Sequence, residues 1–376
     1  MKERITEYFS EIADNRCPCD IEHKLVDVLI LVMCAILCGI DELERIVAYG
    51  KEKSEFLNKH FGIVKIPSKA TLSRIMNMVN ADIVAEKIVQ IMIDLIGTNG
   101  DIVAIDGKTI CSTAKKNPWR EKIHLITAYL TNNGVTLGQL SVNEKTNEIP
   151  VLRDLLKNIN ISGKIVTADA MHCQIETAEA IINAKGDYVI GLKKNQETFF
   201  NEVSTYIEDC IADKTIEMEK AQTIEKNRDR VEQRTCFVAP TLDWFEDKGK
   251  WKGLESAFAI NRKVTTKDGI SEEMSFYVSS KAESPEKFLE IVRSHWKIES
   301  MHWQLDLVFS EDDCRILSPH GQKSMSIFRK MALCLHKSYI NNISTKTKPS
   351  IASNMFKSLL SNDYLLKVLS SATSVT

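Results

Sequence analysis

Two short apolar runs constrain this chain more than anything else in it. "DIVAID" at 101–106 and "GKIVTAD" at 163–169 each read as a buried strand that delivers an aspartate at its end. Side chains alternate along a strand, so Ile102, Ala104 and Asp106 share one face, and Ile165, Thr167 and Asp169 share one on theirs. The first run is expected to stop at Gly107. If the two strands are neighbours in one sheet, both carboxylates project on the same side at the same level. An ionised carboxylate in such a place costs several kcal/mol unless a cation or a set of donors meets it, and two together repel. Something positive is expected there.

The surrounding pattern sets the architecture. Residues 1 to about 97 keep helical spacing throughout, with turn signals near Gly50, Gly62 to Pro67 and Gly97 to Gly100. From residue 101 the period changes. "KIHLITAYLT" and "VTLGQLSV" read as strands, "EIPVLRDLLKNI" as a helix, "QIETAEAIINAKGD" as a helix ended by Gly186, and "YVIGLK" as a strand. That order is α/β with a mixed sheet. Residues of about 200–282 are charge-rich with β alternation and a hairpin signal at Lys267 to Gly269, and read as an inserted β-rich subdomain. Helical period returns at Pro285. The expected division is a helical region at 1–97, a catalytic domain at 98–340 carrying the insertion, and a helical tail at 341–376.

Within the first region, "IPSKATLSRIMNMV" makes Ser68 an N-cap and puts Leu72, Ile75, Met76 and Val79 inward. Lys69, Ser73, Arg74 and Asn77 are left on the outer face, as on a helix presented to a DNA groove or on any solvated helix. The apolar stretch Val28–Ile40 is too short to span a bilayer, where roughly 20 residues are needed, and reads as a buried helix. The N-terminus lacks the basic start and apolar core of a signal peptide, so the expected location is the cytosol. The ten cysteines are scattered, which suits reduced packing thiols, and the Cys17, Cys19 and His23 spacing does not match a zinc site. A net charge of −2 gives no global attraction to nucleic acid, so phosphate must be met by local patches.

Hard oxygen donors select Mg²⁺ or Mn²⁺ over zinc. A third ligand can come from the helix after Pro285, where Val292, His295, Glu299, His302, Trp303 and Asp306 fall on one face. Glu299 is favoured because "HWKIES" sets it among apolar residues. The chemistry that suits such a trio is phosphoryl transfer, in which two metal ions about 4 Å apart activate the attacking oxygen and stabilise the leaving one. No P-loop, G-x-G-x-x-G or G-x-S-x-G motif is present to suggest another chemistry.

The segments "IVAIDGKTI", "TADAMHCQIETAEAIINAKGDYVIGLKKNQ", "RSHWKIESMHWQLDLVFSEDDCRI" and "FSEIADNRCPCDIEHKLVDVLILVMCAILCGI" resemble the DDE-type insertion-sequence transposases, in the branch of the H-repeat-associated proteins. The resemblance implies a ribonuclease-H-like core interrupted by a β-rich insertion. It also implies a metal-binding catalytic triad at Asp106, Asp169 and Glu299, and an N-terminal region that helps bind terminal inverted repeats. More distant relatives carry Arg four residues before the glutamate and Lys seven after it. Here those positions hold His295 and Asp306, and Ser300 stands where this branch more often has Asn.

The function that the resemblance implies is metal-dependent cleavage and strand transfer of double-stranded DNA at the inverted-repeat ends of an insertion sequence. It would use Mg²⁺, replaceable by Mn²⁺, with two ions per site, and a homodimer on DNA that is nucleoid-associated when acting. Candidate DNA contacts are Lys69, Arg74, Lys108, Lys193, Lys194, Asn195, Gln196 and His295, with Arg315 and Arg329 as further basic candidates. Trp244 and Trp251 could stack on an unpaired base, although core packing is the readier fate for both. Two other readings remain: an inactive, domesticated DNA-binding protein, and a zinc hydrolase built on His295, Glu299, His302 and Asp306.

Overall fold

Helical period governs the chain up to residue 96, in α1 (Lys2–Ser10), α2 (Leu25–Leu37), α3 (Leu43–Glu52), α4 (Ser54–Phe61), α5 (Lys69–Met78) and α6 (Ala81–Ile96). Strand period then takes over in β1 (Ile102–Ile110), β2 (Ile123–Leu130) and β3 (Val135–Val142). There follow α7 (Glu148–Asn158), β4 (Ile165–Ala168), α8 (Ile175–Asn183), β5 (Asp187–Leu192) and α9 (Glu197–Ala212). Next come β6 (Lys220–Asn227), β7 (Arg230–Val238), β8 (Ser256–Thr266) and β9 (Gly269–Ser279), then α10 (Pro285–Leu307), α11 (Pro319–Asn342), α12 (Ile351–Leu360) and α13 (Asn362–Ser370). The structure is a computed structural model and describes residues 2–111, 122–142, 147–213, 215–227, 229–316 and 318–370. It is mixed α/β, as expected from the sequence, with helices ahead of a large mixed sheet.

The chain divides into two units. The first comprises Met1–Asn99, Gly107–Lys145 and Ser300–Thr376. Its centre is α11, which is buried along most of its length and packs on α2, α6 and β3. The apolar stretch at 28–40 is indeed a buried helix, because α2 is covered on every side from Val28 to Leu37. No helix among the described residues is long and apolar enough to cross a membrane. In α5 the Ser68 hydroxyl accepts from the Thr71 amide as the expected cap, and Leu72, Ile75, Met76 and Val79 are buried. Seven of the ten cysteines are buried free thiols, as packing residues should be.

This unit also buries charge. Arg329 is only 1% exposed and pairs with Asp41 at 2.9 Å. The idea that Arg329 meets phosphate is therefore wrong: the apolar run around it carries it into the core. Lys330 is buried as well, donating to Thr127 Oγ1 at 2.9 Å and Gln139 Oε1 at 2.7 Å, and burial pushes its ammonium down to about 8. Arg315 is exposed and pairs with Glu42 at 3.3 Å.

The second unit comprises Gly100–Asp106 and Thr146–Glu299. Its strands follow the order β1-β4-β5-β9-β8-β7-β6. β1, β4 and β5 are parallel, and all the later pairings are antiparallel. Two expectations need correction. β1 does not stop at Gly107 but continues to Ile110; what stops there is its pairing with β4, whose last partners are Ile105 and Ala168. The charge-rich stretch from residue 200 opens with helix α9, because Phe199, Val203, Ile207 and Cys210 recur at helical spacing beneath its charges and are buried. The strands that follow extend the same ladder through β9 on β5. The hairpin at Lys267 to Gly269 joins β8 to β9 as expected. Trp251 is buried against Phe199, whereas Trp244 is half-buried and packs on Tyr206 and Phe245.

His336 offers a test of the first unit. Its Nε2 donates to the Leu37 carbonyl at 2.9 Å, its Nδ1 accepts from Asn354 at 3.1 Å, and burial pushes the imidazole down to about 4. The unfolded chain takes up a proton near pH 6.5 that the folded chain refuses. Stability is therefore full above pH 6.5 and falls as the pH drops towards 4, by up to about 3 kcal/mol from this group. Urea unfolding followed from pH 7 to 5 should show that decline, and a His336→Gln variant should show a shallower one.

Candidate functional site

The β1–β4 register decides the geometry. Ile102 pairs with Ile165, Ala104 with Thr167, and Ile105 with Ala168. Asp106 and Asp169 are each the next residue beyond that last pair, level with one another and on one face. α10 lies on the same face, since Ile102 and Ile165 share a core cluster with Phe288, Leu289 and Ile291. Thr167, two residues before Asp169, meets His295 of α10, with Oγ1 and Nδ1 3.0 Å apart. Glu299 follows His295 by one turn. The sheet and one helix thus bring the three predicted carboxylates together within the second unit.

Their electrostatics agree. The Glu299 carboxyl is held above its ordinary value, first by partial desolvation and then by the charge of Asp106, with Asp169 adding and His295 opposing. Asp169 is held below the usual range, chiefly by the His295 ring, whose Nε2 stands 3.6 Å from Oδ1, with Lys193 and His172 assisting. Burial pushes the His172 imidazole down to about 4 against the pull of Asp169 and Asp106, and its Nε2 lies 3.7 Å from Glu148 Oε2. One argument for Glu299 was mistaken. It is exposed rather than set among apolar side chains, because the buried neighbours Ile298 and Met301 point off another side of α10.

The donor set is hard oxygen, and three carboxylates that raise one another's cost of ionisation suit a divalent cation. As the side chains stand, no group of three or more His, Cys, Asp or Glu among the described residues is close enough to enclose a metal.

The other candidates separate. Lys193, Lys194 and Asn195 are exposed in the turn after β5. The Asn195 amide donates to the Ala170 carbonyl at 2.7 Å, and the Gln196 amide to the Cys173 carbonyl at 3.1 Å and Gln174 Oε1 at 3.0 Å. These two amides clamp the turn that begins at Asp169, a positioning task that the sequence left open between structure and DNA contact. On α5, Lys69 pairs with Glu44 at 2.8 Å and Arg74 is exposed beside Thr71. Lys108, in the first unit, is held between Asp306 at 2.5 Å and Glu311 at 2.7 Å. Burial of Glu311 opposes its ionisation, yet Lys108, Arg329 and Lys330 hold that carboxyl low. Sequence reasoning missed His172, whose signal was its place in the turn opened by Asp169.

Level aspartates on adjacent parallel strands, with a glutamate from a covering helix, make up the arrangement expected from the sequence. A family model described as "Transposase DDE domain" matches residues 97–335, and one described as "DDE_Tnp_1-associated" matches 6–91. The chain belongs to the DDE transposase family. It is 32% identical to the H repeat-associated putative transposase YhhI of Escherichia coli K12, over 97% of each chain. It is 33% identical to the putative transposase YncI of Escherichia coli O157:H7, over 88% of this chain and 86% of that one. Among solved structures, a piggyBac transposase synaptic complex with hairpin DNA aligns with a TM-score of 0.41 at 11% identity, covering 98% of this chain and 79% of that one.

In chelator, the Glu299 carboxyl should titrate above the ordinary glutamate range and move back towards it in an Asp106→Asn variant, as read by NMR. A raised carboxyl weakens folding above its unfolded value, so the same variant should be slightly more stable at pH 7. The gain should be under about 1 kcal/mol because solvent screens the largely exposed Glu299.

Proposed function

We propose that this protein cuts and joins DNA at the inverted-repeat ends of an insertion sequence, with Asp106, Asp169 and Glu299 as the catalytic carboxylates. The observation that supports this most is the level placement of Asp106 and Asp169 under α10, joined to the raised pKa of Glu299 in their field. The three side chains would hold Mg²⁺ or Mn²⁺, in the two-ion arrangement expected of a phosphoryl transfer site. Such ions, when bound, make water or a 3′-hydroxyl a competent nucleophile and stabilise the departing oxygen.

The chain's own residues prepare that site. Thr167 fixes the His295 ring, and the ring's Nε2 steadies Asp169. The amides of Asn195 and Gln196 hold the turn behind it. Lys193, whose charge already reaches Asp169, is placed to meet a phosphate oxygen. Because His295 stands where distant relatives carry Arg, any phosphate contact from that position is a hydrogen bond from an imidazole rather than a guanidinium fork. The exposed Lys69 and Arg74 of α5 supply backbone contacts in the N-terminal region. Joining two ends of one element calls for two copies of the site, and so for a homodimer on DNA, acting in the cytosol at the nucleoid.

One relative bears the name inactive transposase YbfQ and matches only 76 residues, 20% of this chain. The distinction between an active and a decayed copy is experimental. With Mg²⁺ and DNA carrying the element's ends, the wild-type protein should nick the substrate. An Asp169→Ala variant should lose at least about 10³-fold in rate while keeping its fold and its DNA binding. Nicking that survives in Asp169→Ala would overturn the assignment. Binding without nicking in the wild type, and without thermal stabilisation by Mg²⁺ or Mn²⁺, would make the protein a catalytically idle DNA binder.

A further inference from the structure

Glu232 on β7 is 1% exposed although it lies on the ribbon beyond the core, because three arginines cover it. Arg230 approaches one carboxylate oxygen at 3.0 Å, while Arg234 at 2.6 Å and Arg262 both donate to the other. Beside it, Glu225 of β6 pairs with Arg234 at 3.5 Å and with Arg293 of α10 at 2.9 Å. The register explains the gathering. Glu225 faces Glu232 across β6 and β7, and Arg234 faces Arg262 across β7 and β8, so all four project on one side of the sheet. Four guanidiniums therefore share two carboxylates. Glu273, opposite Arg262 on β9, is exposed and is the nearest further anion on that side by register.

Charge satisfaction alone does not require this excess. One buried carboxylate is neutralised by one guanidinium, and further like charges beside it cost energy unless another anion arrives. The side chains of Arg230, Arg262 and Arg293 are each about half exposed, and each is anchored to its glutamate through a single nitrogen. Each keeps further N–H donors of its planar fork, now held in a fixed direction, which is the arrangement that binds phosphate bidentately. Arg230 and Arg234 are four residues apart on one strand, about 13 Å, a span that passes several successive phosphates of a DNA strand. Cys236, two residues beyond Arg234, packs in the cluster that contains Ile102 and Ile165, so the arginines stand on the triad's side of the sheet.

We propose that Arg230, Arg234, Arg262 and Arg293, organised by Glu232 and Glu225, form a docking site where the inserted ribbon meets α10, for the phosphate backbone of the DNA whose end enters the catalytic site. This deepens the functional reading above and rests on it. Backbone contacts of this kind position DNA without reading its sequence, so the site strengthens binding to any duplex.

The test is duplex DNA binding by fluorescence anisotropy, in chelator, across a salt series, with folding checked by thermal denaturation. Removing one cationic partner of a phosphate lowers the slope of log K against log salt by about 0.9. Arg293→Gln, which leaves all three partners of Glu232 in place, should lower it by about 0.9, and Arg230→Gln with Arg262→Gln by about 1.8. Arg230→Lys with Arg262→Lys should keep the slope and weaken affinity several-fold, because the charge remains and the fork does not. Lys248→Gln with Lys250→Gln, elsewhere on the same unit, should change nothing. An unaltered slope in Arg293→Gln and in the double glutamine variant, with wild-type binding intact, overturns the site. Failure of the wild type to bind DNA at all overturns instead the functional reading on which it rests.

Discussion

Two aspartates of like charge stand level at the ends of paired parallel segments, and much of the second unit is arranged around that repulsion. Neighbouring carboxylates disfavour each other's ionisation, and the penalty is visible in Glu299, the third acid to join them. His295 and Lys193 offset part of it at Asp169.

The contrast with the other charged clusters sharpens this. Glu311 is buried, yet Lys108 donates to it and Lys330 and Arg329 lie in its field, and its carboxyl is held low. Glu232 is hidden, yet three guanidiniums cover it and hold its carboxyl low as well. In both places the protein supplies its own counter-charges, in one case to excess. At Glu299 the balance has the other sign: partial desolvation first, and then the fields of Asp106 and Asp169, raise its carboxyl, and the His295 ring opposes them without prevailing. At Glu299 the protein's own field thus favours the neutral acid.

Much of this was legible in the sequence. Short apolar runs marked β1, β4 and β5, and the parity of Ile102 with Asp106 and of Ile165 with Asp169 gave the face on which each aspartate lies. Helical spacing with the Ser68 cap gave α5 almost to the residue. What was misread was tertiary. The apolar surroundings assumed for Glu299 belong to Ile298 and Met301, since consecutive residues on a helix diverge by about 100° and burial is decided by which side meets the sheet. Arg329 looked like a phosphate ligand because a charged residue carries no sign of its internal partner Asp41, 288 positions away in the chain. The amide clamps of Asn195 and Gln196 engage backbone carbonyls, which any sequence would offer, so no pattern of side chains announces them.

The inserted strands have a further meaning for how this architecture can change. β9 closes the free edge of β5 through four residue pairs, Val189 to Ser279 on to Leu192 with Phe276. Trimming the insertion to a loop would uncover the amides and carbonyls of β5 beside the turn that bears Asp169, leaving a bare edge open to other chains. The ribbon is thus fused to the sheet as a plank is to a floor: its outer end can be altered without baring β5, whereas its inner strand cannot be removed.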